Sequence, residues 1–211
     1  MPSQNGATDL DKLKDEQLVV AYHTGTSDAL AVLIDRYQME LFHFLLRFVG
    51  NRASAEDLFQ DTFLQVHISA KTFDPTKRFK PWLFTIAANK ARDYLRKQKR
   101  QRAAPLSALI DSSQEGGASF IDLLEADLPL PTAVAEDAEL GELIQAIVDQ
   151  MPDHLREVLA LAYFHQFAYK EIAEMLSIPL GTVKSRLHAA VGTFAQLWKT
   201  RYPQGLEARP Q

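Results

Sequence analysis

Apolar positions recur with helical spacing along most of the chain. Leu30, Leu33, Ile34, Tyr37, Leu41, Phe44, Leu45 and Phe48 fall at i, i+3, i+4 and i+7, the pattern of one buried helix face. Gly50-Asn51 ends that helix, because glycine accepts the left-handed conformation that helix C-termini need. A second helix is expected over residues 53–70. A third is expected over residues 81–102, with Pro81 in the first turn, where its missing N–H is no loss. Helical periodicity resumes at Glu139 and runs to Trp198, with breaks at Met151-Pro152, at residues 165–168 and at residues 177–179. No stretch alternates with the period of a strand.

Between these periodic regions the chain changes character. Pro105, Gly116, Gly117, Pro129 and Pro131 punctuate residues 103–138, leaving only short apolar patches at 106–110 and 120–124. A structureless loop of that length is unusual inside one domain, so it reads as a linker. The expected architecture is all-α: a helical bundle at 1–102 and a helix-turn-helix domain at 139–211, joined by an acidic flexible linker at 103–138.

Charge sharpens the division. The net charge of -4 averages over unlike parts. Residues 76–102 hold 10 basic and 1 acidic side chains, whereas residues 103–150 hold 10 acidic and none basic. A basic working surface followed by an acidic segment of another kind is implied.

Within 139–211, the segment Tyr169-Lys-Glu-Ile-Ala-Glu-Met-Leu-Ser-Ile-Pro-Leu-Gly-Thr-Val-Lys-Ser-Arg-Leu-His188 has the order of a helix-turn-helix: a short helix, a tight turn at 177–179 and a longer helix from Leu180. At about 100° per residue, Val183, Leu187, Ala190, Val191 and Phe194 share an inward face. Gly181, Thr182, Ser185, His188 and Ala189 lie opposite as candidates for base edges, flanked by Lys184 and Arg186 as candidates for phosphates. An ordinary helical hairpin fits the same spacing.

On the third helix, Leu83, Phe84, Ala87, Ala88, Ala91, Tyr94 and Leu95 form the apolar back. Thr85, Asn89, Arg92, Asp93, Arg96 and Arg100 form a stripe opposite, bordered by Lys90 and Lys97, which suits a phosphate backbone. The preceding segment interleaves Phe73, Phe79 and Trp82 with Lys77, Arg78 and Lys80, a combination that suits unstacked bases; Phe79 and Trp82 also fit a core. On the second helix, Ala55, Leu58, Phe59, Thr62 and Val66 are expected to face inward. Asp57, Asp61, Leu64 and Ile68 cluster elsewhere, as a protein-binding surface or a second packing face.

Three stretches, residues 55–64 (AEDLFQDTFL), 79–96 (FKPWLFTIAANKARDYLR) and 155–187, in that order around an acidic spacer, make the chain similar to bacterial RNA polymerase sigma factors of the extracytoplasmic-function (ECF) type. The resemblance covers about residues 16–199. It implies a dissociable promoter-specificity subunit that binds core RNA polymerase, through its clamp helices and flap region, and promoter DNA. Asp57, Gln60, Asp61 and Leu64 would dock on the clamp helices. Phe73, Lys77, Arg78, Phe79, Lys80, Trp82, Asn89, Lys90, Arg92, Asp93, Arg96, Lys97 and Arg100 would read and open the -10 element. Tyr169, Lys170, Gly181, Thr182, Lys184, Ser185, Arg186 and His188 would meet the -35 element. The linker would run towards the polymerase cleft, and an anti-sigma factor is an expected further partner.

The chain departs from that pattern at Ala189-Ala190-Val191, where basic residues are common, and at Ala162, where an arginine is often found. Fewer cations mean fewer phosphate contacts and a shallower salt dependence. Zero cysteines exclude a disulfide scaffold and thiol chemistry. The six histidines show no metal-ligand spacing, and no phosphate-binding glycine loop or activated nucleophile occurs. Neither a cofactor, a metal nor an enzymatic activity is expected. The N-terminal residues lack the basic-then-apolar order of a signal peptide, and no apolar run reaches the roughly 20 residues of a membrane span, so a cytoplasmic location is expected. A stand-alone helix-turn-helix regulator would need paired half-sites, yet no heptad seam for dimerisation is present.

Overall fold

The computed structural model describes residues 10–102 and 138–202. All regular elements among the described residues are helical. The chain divides into two compact units, residues 1–94 and 95–211. The expected linker with its apolar patches at 106–110 and 120–124 lies, but for Ala138, outside the described residues.

The first unit contains α1 (Asp15–His23), α2 (Asp28–Val49), α3 (Arg52–Ser69), a 3-10 turn (Ala70–Thr72) and α4 (Phe79–Arg102), which runs through the point of division. Helix α2 buries Leu33, Tyr37, Leu41, Phe44, Leu45 and Phe48 as the periodicity predicts, with Leu30 and Ile34 partly buried at its edge. Gly50 closes it in the left-handed region at φ 70°, its N–H returning to the Leu46 carbonyl at 2.8 Å. Asn51 then caps α3, its side-chain oxygen accepting from the Ser54 N–H at 2.9 Å. Helix α4 starts two residues before Pro81, which still sits in the first turn and removes no internal hydrogen bond.

Aromatic rings fill the centre. Phe44, Phe48, Phe79 and Phe84 are fully buried. Phe84 lies 5.2 Å from Phe44, and Tyr37 meets Phe79 edge-on at 5.4 Å, so rings from α4 lock onto α2. Each such ring contributes about 1.5–3 kcal/mol by leaving water. Exposed ion pairs contribute about 0–1 kcal/mol, so apolar burial decides the packing and polar contacts refine it.

Helix α1, which periodicity does not predict, buries only Leu18 and Val19. Polar contacts add to that burial. Asp15 pairs with Arg36 at 2.6 Å and accepts from the Tyr37 hydroxyl. The Arg36 guanidinium also donates to the carbonyls of Leu13 (2.9 Å) and Asp11 (2.6 Å). The Tyr22 hydroxyl hydrogen-bonds with Nδ1 of His67 on α3.

The second unit's helices are α5 (Ala138–Val148), α6 (Asp153–Leu159), α7 (Tyr169–Leu176) and α8 (Leu180–Arg201). Helix α6 runs on as a π-helical turn (Ala160–Phe164), closed by the His165 N–H on the Ala160 carbonyl at 3.2 Å. Ile144, Ile147, Val158, Leu161, Ile172, Val183 and Ala190 form its core. The buried Arg156 donates to the carbonyls of Asp149 (2.7 Å) and Met151 (3.0 Å), placing a cation at the C-terminal end of α5 where the helix dipole favours one. Ser177 ends α7 in the left-handed region at φ 53°, a strained conformation for a residue with a side chain.

Two expectations follow. Ser177→Gly relieves the backbone strain and raises unfolding free energy by about 0.5–1 kcal/mol in chemical denaturation; a decrease would show that the serine side chain outweighs the strain. Burial first, and then the bond to Asp15, raise the Tyr37 pKa above its usual 10.0. The unfolded chain therefore releases that proton first, and the stability tied to Tyr37 is complete below about pH 10 and lost as pH rises further. The wild-type melting temperature should fall more steeply than that of Tyr37→Phe between about pH 9 and 11. Parallel decreases would contradict this assignment.

Candidate nucleic-acid interface

Helix α3 sends residues in two directions. Ala55, Leu58, Thr62, Phe63 and Val66 are buried, the Thr62 hydroxyl donating to the Leu58 carbonyl at 2.6 Å. Phe59, expected to face inward, is only partly buried, whereas Phe63 is buried beside it; the two rings meet at 5.1 Å. Asp57, Gln60 and Asp61 are exposed, and Leu64 and Ile68 keep 56% and 61% of their surface in water. Two large apolar side chains among carboxylates thus remain accessible, the composition of a protein-docking face.

Helix α4 is also two-sided. Leu83, Phe84, Ala87, Ala88 and Ala91 are fully buried, and the Tyr94 hydroxyl reaches Ser54 Oγ at 2.6 Å, tying α4 to α3. On the other side Asn89, Asp93, Arg96, Lys97 and Arg100 are exposed, with Lys90 and Arg92 partly buried. The Arg92 guanidinium donates to the Asn89 side-chain oxygen, which orients both groups. The stripe foreseen from the sequence is therefore continuous along one face of a helix whose back is anchored.

At the start of α4 Phe79 takes the core alternative, and Phe73, just upstream, differs from expectation. Phe73 and Phe79 are buried, at 8% and 0% exposure, and only Trp82 of the three rings is partly open. Phe73 packs 4.9 Å from Trp82 and 6.1 Å from Phe79, while Trp82 and Phe79 lie 5.8 Å apart. In this conformation Phe73 and Phe79 support the loop from beneath and do not offer faces to bases. The i, i+3, i+4 spacing of Phe79, Trp82 and Leu83 is the signal of a core-facing helix start that the aromatic and cationic alternation obscures.

Lys80 is also engaged: its Nζ lies 2.6 Å from Glu40 and 5.9 Å from the Phe84 ring centre. Lys77 and Arg78 are exposed. The turn that presents them is set by Asp74, which accepts from the Thr76 N–H (3.0 Å) and hydroxyl (2.7 Å); these two bonds hold the Asp74 carboxyl below its usual pKa. Sequence reasoning also missed Glu16. Its Oε1 accepts the Phe79 N–H at 2.9 Å, across 63 residues that leave no local signal.

In the second unit, α7 and α8 meet across the Ser177 turn. The Ile178 N–H bonds the Ala173 carbonyl at 3.0 Å, and the Thr182 and Val183 N–H groups bond the Pro179 carbonyl at 2.9 and 3.1 Å. Val183, Leu187, Ala190, Val191 and Phe194 are all buried, as the wheel predicts. Gly181, Lys184, Ser185 and Ala189 are exposed, and Thr182, Arg186 and His188 are partly buried. A Cβ at Gly181 would meet nothing within 4 Å, so internal packing does not require glycine there. On α7, Tyr169 and Lys170 are exposed, next to a start fixed by Glu171 Oε2 accepting the Ala168 N–H at 3.0 Å. Among the described residues no group of three or more His, Cys, Asp or Glu side chains could hold a metal, and no helix is long and apolar enough to cross a membrane.

Comparison with known proteins matches both units. The sigma-70 region 2 family model fits residues 33–101, and the sigma-70 region 4 model fits residues 141–193. The chain is 34% identical over 164 residues to the ECF RNA polymerase sigma factor SigW of Bacillus subtilis, covering 78% of this chain and 86% of SigW. It is 30% identical over 182 residues to the RNA polymerase sigma-H factor of Pseudomonas aeruginosa, covering 86% and 92%. Among solved structures, CnrH in complex with the cytosolic domain of CnrY matches with a TM-score of 0.63 at 22% identity, over 88% of this chain and 97% of that one. Sigma factor RpoE, in complex with the anti-sigma factor NepR from Bartonella quintana, matches with a TM-score of 0.59 at 22% identity, over 82% and 98%. These structures share the fold. With the sequence relatives and the two family models, the chain belongs to the ECF RNA polymerase sigma factors.

Proposed function

We propose that the first unit divides transcription initiation between two of its helices, α3 for the polymerase and α4 for the promoter. As an ECF sigma factor the chain recognises promoters and acts in transcription initiation with RNA polymerase. The observation that carries the division of labour is the pair of exposed surfaces on one aromatic core: the acidic and apolar α3 face and the cationic α4 stripe. Asp57, Gln60, Asp61 and Leu64 dock on core polymerase, with Leu64 supplying apolar area and the carboxylates supplying orientation and attraction.

Lys77, Arg78, Lys90, Arg92, Arg96, Lys97 and Arg100 follow the phosphate backbone, with Asn89 and Asp93 among them. Unstacking a base costs a few kcal/mol, and one aromatic surface returns about 1–3 kcal/mol. With Phe73 and Phe79 in the core, Trp82 is the ring that takes this part, and backbone attraction carries the larger share. Lys80 steadies α4 through Glu40. Tyr169, Lys170, Gly181, Thr182, Lys184, Ser185, Arg186 and His188 contact the -35 element, Gly181 leaving room for close approach at the start of α8. The functional domains are residues 1–102 and 139–211, joined by the acidic segment 103–138. The protein works in the cytoplasm, is not an enzyme by itself, and is held by an anti-sigma factor.

Two variants separate the two faces. Asp61→Arg weakens core-polymerase affinity by about tenfold or more, about 1.4 kcal/mol, with an unchanged circular-dichroism melt; unchanged affinity would remove α3 from the docking role. Arg92→Ala combined with Arg96→Ala lowers open-complex yield, read by fluorescence of a labelled promoter, while core affinity stays within about twofold. Equal yield would remove the stripe from promoter opening.

A further inference from the structure

The first N–H of helix α4 takes an acceptor from far along the chain. Arg78 and Lys77 directly precede Phe79, and neither side chain carries an acceptor that could cap the helix. Thr76 turns towards Asp74, donating to it from both its N–H and its hydroxyl. The acceptor comes from α1 instead. Glu16 Oε1 takes the Phe79 N–H at 2.9 Å in a partly buried setting. The neighbouring Asp15 holds α1 in place for this contact by gripping Arg36 and Tyr37 of α2. Two consecutive carboxylates thus clip α1 to α2 and to the first residue of α4. A carboxylate at a helix N-terminus also meets the positive end of the helix dipole.

The capped residue sits at the base of the loop that carries Lys77 and Arg78, and Phe79 packs beneath Trp82 and Phe73. Losing the cap frees the first turn of α4, and with it the direction of Lys77, Arg78 and Trp82. The α3 docking face shares none of these contacts. We infer that Glu16 is a positioning residue for promoter opening: it holds the N-terminal turn of α4 and the Lys77-Arg78 loop in the geometry that engages DNA, through the Phe79 amide. This inference rests on the reading that the loop and the α4 stripe open the promoter.

The test uses the full chain with core polymerase and a promoter that it transcribes, comparing wild type, Glu16→Ala, Glu16→Gln and the Arg92→Ala, Arg96→Ala double variant. Glu16→Ala should lower open-complex yield about fivefold, the size expected for the loss of one capping hydrogen bond, while core affinity stays within about twofold. Glu16→Gln keeps a carbonyl acceptor and should recover most of the yield. Hydrogen exchange in the free protein should show the Phe79 amide exchanging faster in Glu16→Ala and near the wild-type rate in Glu16→Gln. Wild-type opening by Glu16→Ala overturns the inference, as does a matching fall in core affinity, which would mark a general folding role. Equal impairment of Glu16→Gln and Glu16→Ala also overturns it, because charge and not the cap would then be the cause. If the double variant lowers opening and Glu16→Ala does not, the inference alone fails. If the double variant opens normally while Glu16→Ala does not, the stripe assignment fails and the positioning role stands.

Discussion

The contact on which the first unit depends is the seating of one face of α4 against α2. Phe84 against Phe44 and Phe79 against Tyr37 fix the rotation of α4 about its own axis. Once those rings are buried, residues half a turn away have no choice but to face outward. Asn89, Arg92, Arg96 and Arg100 form a stripe because Leu83, Phe84, Ala87, Ala88 and Ala91 have taken the inside. The small alanines let the helix approach closely, and the close approach brings Tyr94 within hydrogen-bond distance of Ser54 on α3. Packing thus sets the direction of the cations, and electrostatics then acts from positions that packing has chosen.

The same logic decides what could be read from the sequence. The inward faces of α2 and α8 are sustained apolar periods, and each predicted residue of α8 is buried. The outward set of α3 was legible because Leu64 and Ile68 fall at about half a turn from Ala55, too far round to share its core. Phe59 falls between Val66 and Phe63 on the wheel of α3 yet stays only partly buried, so tertiary fit and not period decides its place. A core place for Phe79 stood open beside its reading as a base-stacking ring, but the burial of Phe73 was hidden by the cations that follow it. Helix α1 and Glu16 could not be found by periodicity, since their anchors are contacts over tens of residues. The π-helical turn after α6 rests on an i to i+5 bond for which no residue pattern is diagnostic.

The weak average charge of the chain follows from this arrangement. Its 23 basic and 27 acidic side chains nearly cancel, yet the cations concentrate on α4 and its preceding loop. Acidic side chains also work inside the fold. Asp15 and Glu16 fasten α1, Glu40 engages Lys80, and Asp74 shapes the turn before Lys77. The cationic surface of α4 and its preceding loop is therefore braced from behind by carboxylates of the same unit. On α8, Ala189 stands exposed after His188, so that helix presents fewer cations than α4 does.

The claim at the centre of this account is that the chain opens promoter DNA only as part of RNA polymerase. Permanganate reactivity of promoter thymines measures this directly, since only unpaired thymines react strongly. Core enzyme together with the chain should give reactive thymines confined to the -10 segment and the start site, with neither component producing them alone. A stable footprint of the chain alone on duplex promoter, with no reactive thymines when core enzyme is added, would contradict it.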